Sequence, residues 1–169
     1  MACAHSQGAT GRKVSPGASP LFRSSGQRGY SSTISADPRR VFARKLEREI
    51  QVQFAQVACT VQTTEGLVHA RPGDAILTGI AGEHWRVSRE RFAEKYRPVP
   101  PTPAGESGRY VSLPNRILAL PMTESFEVVL ADGISRLHGH AGDWLVDYGD
   151  GSLGIVSRAI FATTYKIVG

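Results

Sequence analysis

The chain has 169 residues, 41% of them hydrophobic, with 20 basic and 15 acidic side chains for a net charge of +5. That is room for one domain or two very small ones, and no apolar run approaches the ~18 residues of a membrane-spanning helix. Cys3 and Cys59 share no ligand spacing, which excludes a disulfide framework and a cysteine zinc site.

The positive charge is concentrated at the start. The first 36 residues contain no Asp or Glu and carry Arg12, Lys13, Arg23 and Arg28. The rest holds 16 basic and 15 acidic groups, close to neutral. Residues 1–35, rich in Ser, Gly, Ala and Arg, therefore read as a disordered, transit-peptide-like leader. Arg28-Gly29-Tyr30-Ser31-Ser32 resembles the mitochondrial signal with arginine three residues before the cut, which places cleavage after Tyr30 and makes Ser31 the new N-terminus. The expected address is the mitochondrial matrix. Gly8, Gly11, Pro16, Gly17 and Pro20 interrupt an amphipathic helix, so a plastid leader, or a tail on a bacterial cytoplasmic protein, is the alternative.

Residues 36–49 follow. Asp37 can cap and Pro38 suits a first helical turn, so the segment reads as a short amphipathic helix or a mixed lead-in to the first strand. Its Arg39, Arg40, Arg44 and Lys45 read as a solvated basic face.

The chain then says nearly the same thing twice. At an offset of 69, Gly73/Gly142, Asp74/Asp143, Gly82/Gly151, Val87/Val156, Ser88/Ser157, Arg89/Arg158, Phe92/Phe161, Ala93/Ala162 and Tyr96/Tyr165 coincide without a gap. Ile50 and Ile117 match at 67, so two residues were gained or lost at the intervening hairpin. This is a duplication. The copies are 50–97 and 109–169, joined by a stiff proline-rich linker at 98–108. Each copy reads as hairpins built from short apolar strands around Gly-Asp turns. A serine then caps a helix of about two turns, whose rings four apart (Phe92 with Tyr96, Phe161 with Tyr165) share one face. Units this small are marginal alone, so the expectation is an α+β fold of two tandem repeats packed about an approximate two-fold axis.

These residues resemble the family of small bacterial proteins named after a Pro-Gly-Asp-Tyr-Gly motif. The second copy carries the likeness in AGDWLVDY (141–148), GIV (154–156) and IFATTY (160–165). The first resembles a related phage and bacterial pattern. The likeness covers Ile50 to Val168 and departs at the naming motif, where Asp150-Gly151-Ser152-Leu153-Gly154 keeps only the glycines. It implies no activity, so no functional residue is carried over.

Chemistry is sparse. Asp74 and Asp143 at matched positions, with His69 and His138, are the candidates for acid–base work, against a local role as turn formers. His138 and His140 on one strand face could begin a metal site, but no third ligand is spaced for it. Ser88 and Ser157 lack a nucleophile's elbow and read as caps, and Cys59 reads as a buried strand residue. Trp85, Tyr110, Trp144 and Tyr148 beside Arg71, Arg86, Arg89 and Arg158 would suit single-stranded nucleic acid; near-neutral charge after the leader counts against it. No cofactor is called for. The reading is a non-catalytic mitochondrial accessory or assembly protein that binds a protein partner. A small enzyme using the Asp and His groups near the Gly-Asp turns is the first alternative, and an RNA-binding module of organellar translation the second.

Overall fold

The structure is a computed structural model that describes residues 18–29 and 32–169. Fifteen strands and two helices of seven residues each follow one another among the described residues. The α+β expectation is thereby corrected to an all-β fold. The helices, α1 (Arg89–Lys95) and α2 (Arg158–Thr164), bury one ring each, Phe92 and Phe161. Phe92 and Phe161 each join the apolar cluster of one sheet, and the strands supply most of the core.

Each repeat supplies seven strands. The first has β2 (Val41–Lys45), β3 (Glu49–Phe54), β4 (Cys59–Thr63), β5 (Gly66–Ala70), β6 (Ala75–Thr78), β7 (His84–Val87) and, after α1, β8 (Tyr96–Pro98). The second has β9 (Gly108–Ser112), β10 (Arg116–Pro121), β11 (Phe126–Val129), β12 (Arg136–Gly139), β13 (Trp144–Asp147), β14 (Leu153–Val156) and, after α2, β15 (Tyr165–Val168). The segment expected as a short helix or lead-in thus contains strand β2. Its alternation of exposed and buried residues has period two, with Ala43 fully buried. Asp37 and Pro38 fall in the turn that precedes it.

Two five-stranded sheets result, in the orders β7-β6-β3-β9-β8 and β14-β13-β10-β2-β15. The repeats exchange their first strands. β2, from the first repeat, lies between β10 and β15 of the second, and β9, from the second, lies between β3 and β8 of the first. The crossings match bond for bond. Lys45 N donates to Asn115 O at 3.0 Å and Ser112 N to Arg48 O at 3.1 Å. Leu46 N donates to Thr164 O at 2.8 Å and Leu113 N to Lys95 O at 2.7 Å. The duplicated unit therefore begins at Val41 and Gly108, earlier than the sequence match reveals. The connectors at 46–48 and 113–115 run on from one sheet to the other instead of folding back. Pro114 favours this by pushing Leu113 out of the helical region. The proline-rich stretch is the β8–β9 connection and wraps the Tyr110 hydroxyl, which accepts from Gly105 N at 3.0 Å and donates to Glu106 O at 2.8 Å.

The hairpins β4–β5 and β11–β12 meet where the repeats pack. His138 N donates to Glu65 O at 2.6 Å and His69 N to Ser135 Oγ at 3.0 Å. The largest apolar cluster spans both repeats, with Val68 beside Leu120, Phe126, Val128, Leu137 and Leu145. One more strand, β1 (Leu21–Arg23), comes from the stretch assigned to the leader and adds in parallel to β11. A 3₁₀ turn at Thr33–Ala36 then buries Ile34 in the same cluster.

Candidate functional site

Between the repeats runs a cleft of about 230 Å³. Lys45, at the end of β2, donates to the Tyr96 hydroxyl at 2.9 Å, and its ammonium lies 5.9 Å from the Trp85 ring. Across from it, the Lys95 ammonium is 4.8 Å from the Tyr148 ring and 2.7 Å from Asp150. Tyr148 and Tyr165 share a hydrogen bond, and burial raises both phenols well above their ordinary range. They stay protonated at physiological pH. Glu65, in the β4–β5 turn, lines the cleft and is raised by burial, against the opposing hydrogen bond from Thr64. Burial also pushes the Asp150 carboxyl upward, but hydrogen bonds from Lys95 and Ser152 outweigh it and hold the group at about 2. Arg91, 3.2 Å away, completes this ionic bridge between α1 and the β13–β14 hairpin. A cleft of this size is below the usual range for small-molecule sites, roughly 300–1,000 Å³, and the Lys45–Tyr96 and Lys95–Asp150 contacts tie the repeats together across it.

Residues 18–29 run beside the cleft and contribute Ser24 to its lining. In that segment β1 pairs Leu21, Phe22 and Arg23 with Glu127, Val128 and Val129. Phe22 meets Phe126 edge-on at 6.2 Å, and Gly26 N donates to Gly151 O at 2.9 Å. Ser24 receives the Leu153 N–H at 2.9 Å and lines the cleft. Arg28 reaches Glu94 of α1 at 2.5 Å. Among the described residues the β4–β5 hairpin, the first repeat's counterpart of β11–β12, stands as a two-stranded sheet with no added strand.

The sequence-derived candidates lie elsewhere. Asp74 Oδ2 accepts from Arg71 N at 2.9 Å and from the Arg86 guanidinium at 3.0 Å. Asp143 Oδ2 accepts from His140 N at 2.9 Å. Both carboxylates thus close their own Gly-Asp turns, with Asp74 also anchoring the neighbouring strand. His138 pairs through Nδ1 with Glu127 at 2.9 Å, and His69 is held through its backbone. No hydrogen bond joins either aspartate to a histidine ring among the described residues, and no group of three or more metal-ligating side chains forms there. Ser157 accepts from Ile160 N as a cap, whereas Ser88 makes no such side-chain bond. Cys59 is exposed at the free end of β4, against the expectation of burial. The proposed nucleic-acid aromatics do not all share a face: Tyr110 is buried in the first repeat's core, Trp144 stacks on Phe161 at 4.1 Å, and Trp85 and Tyr148 both line the cleft. Of the cleavage candidates, Arg28 is placed as above, while Tyr30 and Ser31 lie outside the described residues. Sequence reasoning missed Lys45, Lys95, Asp150 and the strand character of 21–23. Only the Phe-Tyr spacing hinted at the tyrosine cluster.

A family model described as PGDYG protein matches residues 66–166, from β5 of the first repeat into β15 of the second. No curated protein and no solved structure matches the chain.

Proposed function

The chain belongs to the PGDYG protein family, and from that premise we propose that it is a non-catalytic accessory or assembly protein of the mitochondrial matrix. It acts by adding an extended segment of a partner protein to the edge of β11. One observation carries this reading: the chain's own residues 18–29 already occupy that edge as an added strand. Main-chain bonds supply affinity in such additions and side-chain pockets supply specificity. Phe22 packs edge-on against Phe126 of the shared core, and the Ser24–Leu153 and Gly26–Gly151 contacts fix the direction. Cleavage after Tyr30 severs the occupying segment from the folded part and vacates the edge for a partner.

The test has two parts. The protein isolated from mitochondria is expected to begin at Ser31. A synthetic peptide of residues 18–29 is expected to bind the chain of residues 31–169 and to be excluded from the full-length chain. An intact leader in the isolated protein, or a folded 31–169 chain that ignores the peptide, overturns the proposal.

A further inference from the structure

One face of the second repeat's sheet packs the shared core through Leu118, Leu120 and Leu145, and its other end carries a row of cations. Arg44 of β2 stands directly opposite Arg116 of β10 on one side and Lys166 of β15 on the other, and all three are exposed. Directly opposed residues on neighbouring strands point to the same face with Cβ atoms about 5 Å apart, and like charges so placed repel. Among the described residues, no carboxylate lies within ion-pairing distance of any of the three.

The first repeat provides an internal control. Its equivalent row is Glu49, Val111 and Arg97. There Glu49 pairs with Arg109 at 3.5 Å and Arg97 with Glu47 at 2.9 Å. One fold, present twice in one chain, neutralises this face once and leaves it unneutralised once. Folding does not demand the cationic row, and repulsion opposes it, so a ligand is its natural counterpart.

The neighbouring row identifies the chemistry. Phe42, 37% exposed, lies between Leu118 and Val168, and the Arg116 guanidinium stacks over its ring at 3.9 Å. A row of cations beside an aromatic ring and a stacked guanidinium, at the exposed end of a sheet face, matches a phosphate backbone with bases laid beside it. Two of the three cations are arginines, whose planar fork suits phosphate oxygens. We infer that this face binds single-stranded nucleic acid, with Arg44, Arg116 and Lys166 on the backbone and Phe42 against a base. The inference is independent of the strand-addition reading, because the two surfaces share no residue. The near-neutral charge of the chain after the leader does not oppose it: the charge is arranged locally.

The test measures fluorescence anisotropy of a labelled 20-nucleotide oligouridine RNA with the full-length chain. Three phosphate contacts predict binding that weakens about twentyfold between 50 and 200 mM salt. Arg44→Gln with Arg116→Gln is expected to abolish most of that salt dependence and to leave the melting temperature nearly unchanged, since the relieved repulsion offsets the lost stacking of Arg116 on Phe42. Phe42→Ala is expected to weaken binding about fivefold or more while keeping the salt dependence. Arg97→Gln with Arg109→Gln, on the other sheet, is expected to have no effect. Absence of binding at 50 mM salt overturns the inference, as does binding indifferent to the Arg44 and Arg116 changes. Tighter binding of polyglutamate or of phosphatidylserine vesicles at the same residues also overturns it, in favour of an acidic protein or a membrane.

Discussion

Replacing Tyr110 by alanine tests the strand exchange directly. Tyr110 belongs to β9, which the second repeat encodes, yet its ring lies 4.8 Å from Phe92 and 6.2 Å from Phe54, both of the first repeat. It is 2% exposed, so truncation opens a cavity of nearly the full ring, which costs about 3–5 kcal/mol. Loss of the hydroxyl's bonds with Gly105 and Glu106 adds about 1 kcal/mol. The sum is a large part of a typical total stability of roughly 5–15 kcal/mol, and should lower the melting temperature by about 10–20 °C. Tyr110→Phe keeps the ring and should show only the smaller loss. Residue-resolved hydrogen exchange locates the damage. Amides of β3, β6 and β8 should lose protection first, because β9 completes their sheet. If Tyr110→Ala instead deprotects β10 and β13 first, each repeat folds on its own strands and the exchange would be refuted.

Two further outcomes follow from single residues. Asp150→Asn removes the carboxylate held at about 2 by Lys95 and Ser152 and paired with Arg91. A depressed carboxyl contributes stability above its unfolded value near 3.9 and loses it as pH falls through the folded value. Urea unfolding should thus show the wild type ahead by about 2–3 kcal/mol at pH 6, with the gap closing between about pH 4 and 2; a gap that persists at pH 2 contradicts this. Gly139→Ala should destabilise by about 1–3 kcal/mol, because its Cβ would come 2.3 Å from the Phe126 ring, which is 1% exposed. The matched pair in the first repeat is Ala70 opposite Cys59, so the same chain tolerates alanine where the facing residue is small. A melt of Gly139→Ala equal to wild type would show that Phe126 is free to move aside.

The sequence by itself determined the duplication, the Gly-Asp turns and the pairing of rings after each helix. These are local matters. Asp74 and Asp143 bond the backbone three residues away, and Phe92 with Tyr96 and Phe161 with Tyr165 stack at 4.8 and 5.0 Å as their spacing requires. The membership of the PGDYG family was legible from the same residues. Only the tertiary structure decided which sheet each first strand joins. Residues 46–48 and 113–115 are long enough to fold back as hairpins, and whether they turn or cross depends on the partner strands, which lie far away in sequence. The segment holding β2 read as a short helix or a mixed lead-in, because Asp37, Pro38 and its charges satisfy local helix signals; the period-two burial around Ala43 arises only between β10 and β15. The same holds for function. Arg44, Arg116 and Lys166 lie far apart along the chain and meet only because the exchanged strand brings β2 between β10 and β15. Net charge cannot report such a row, because it sums over the molecule what the fold gathers onto one face.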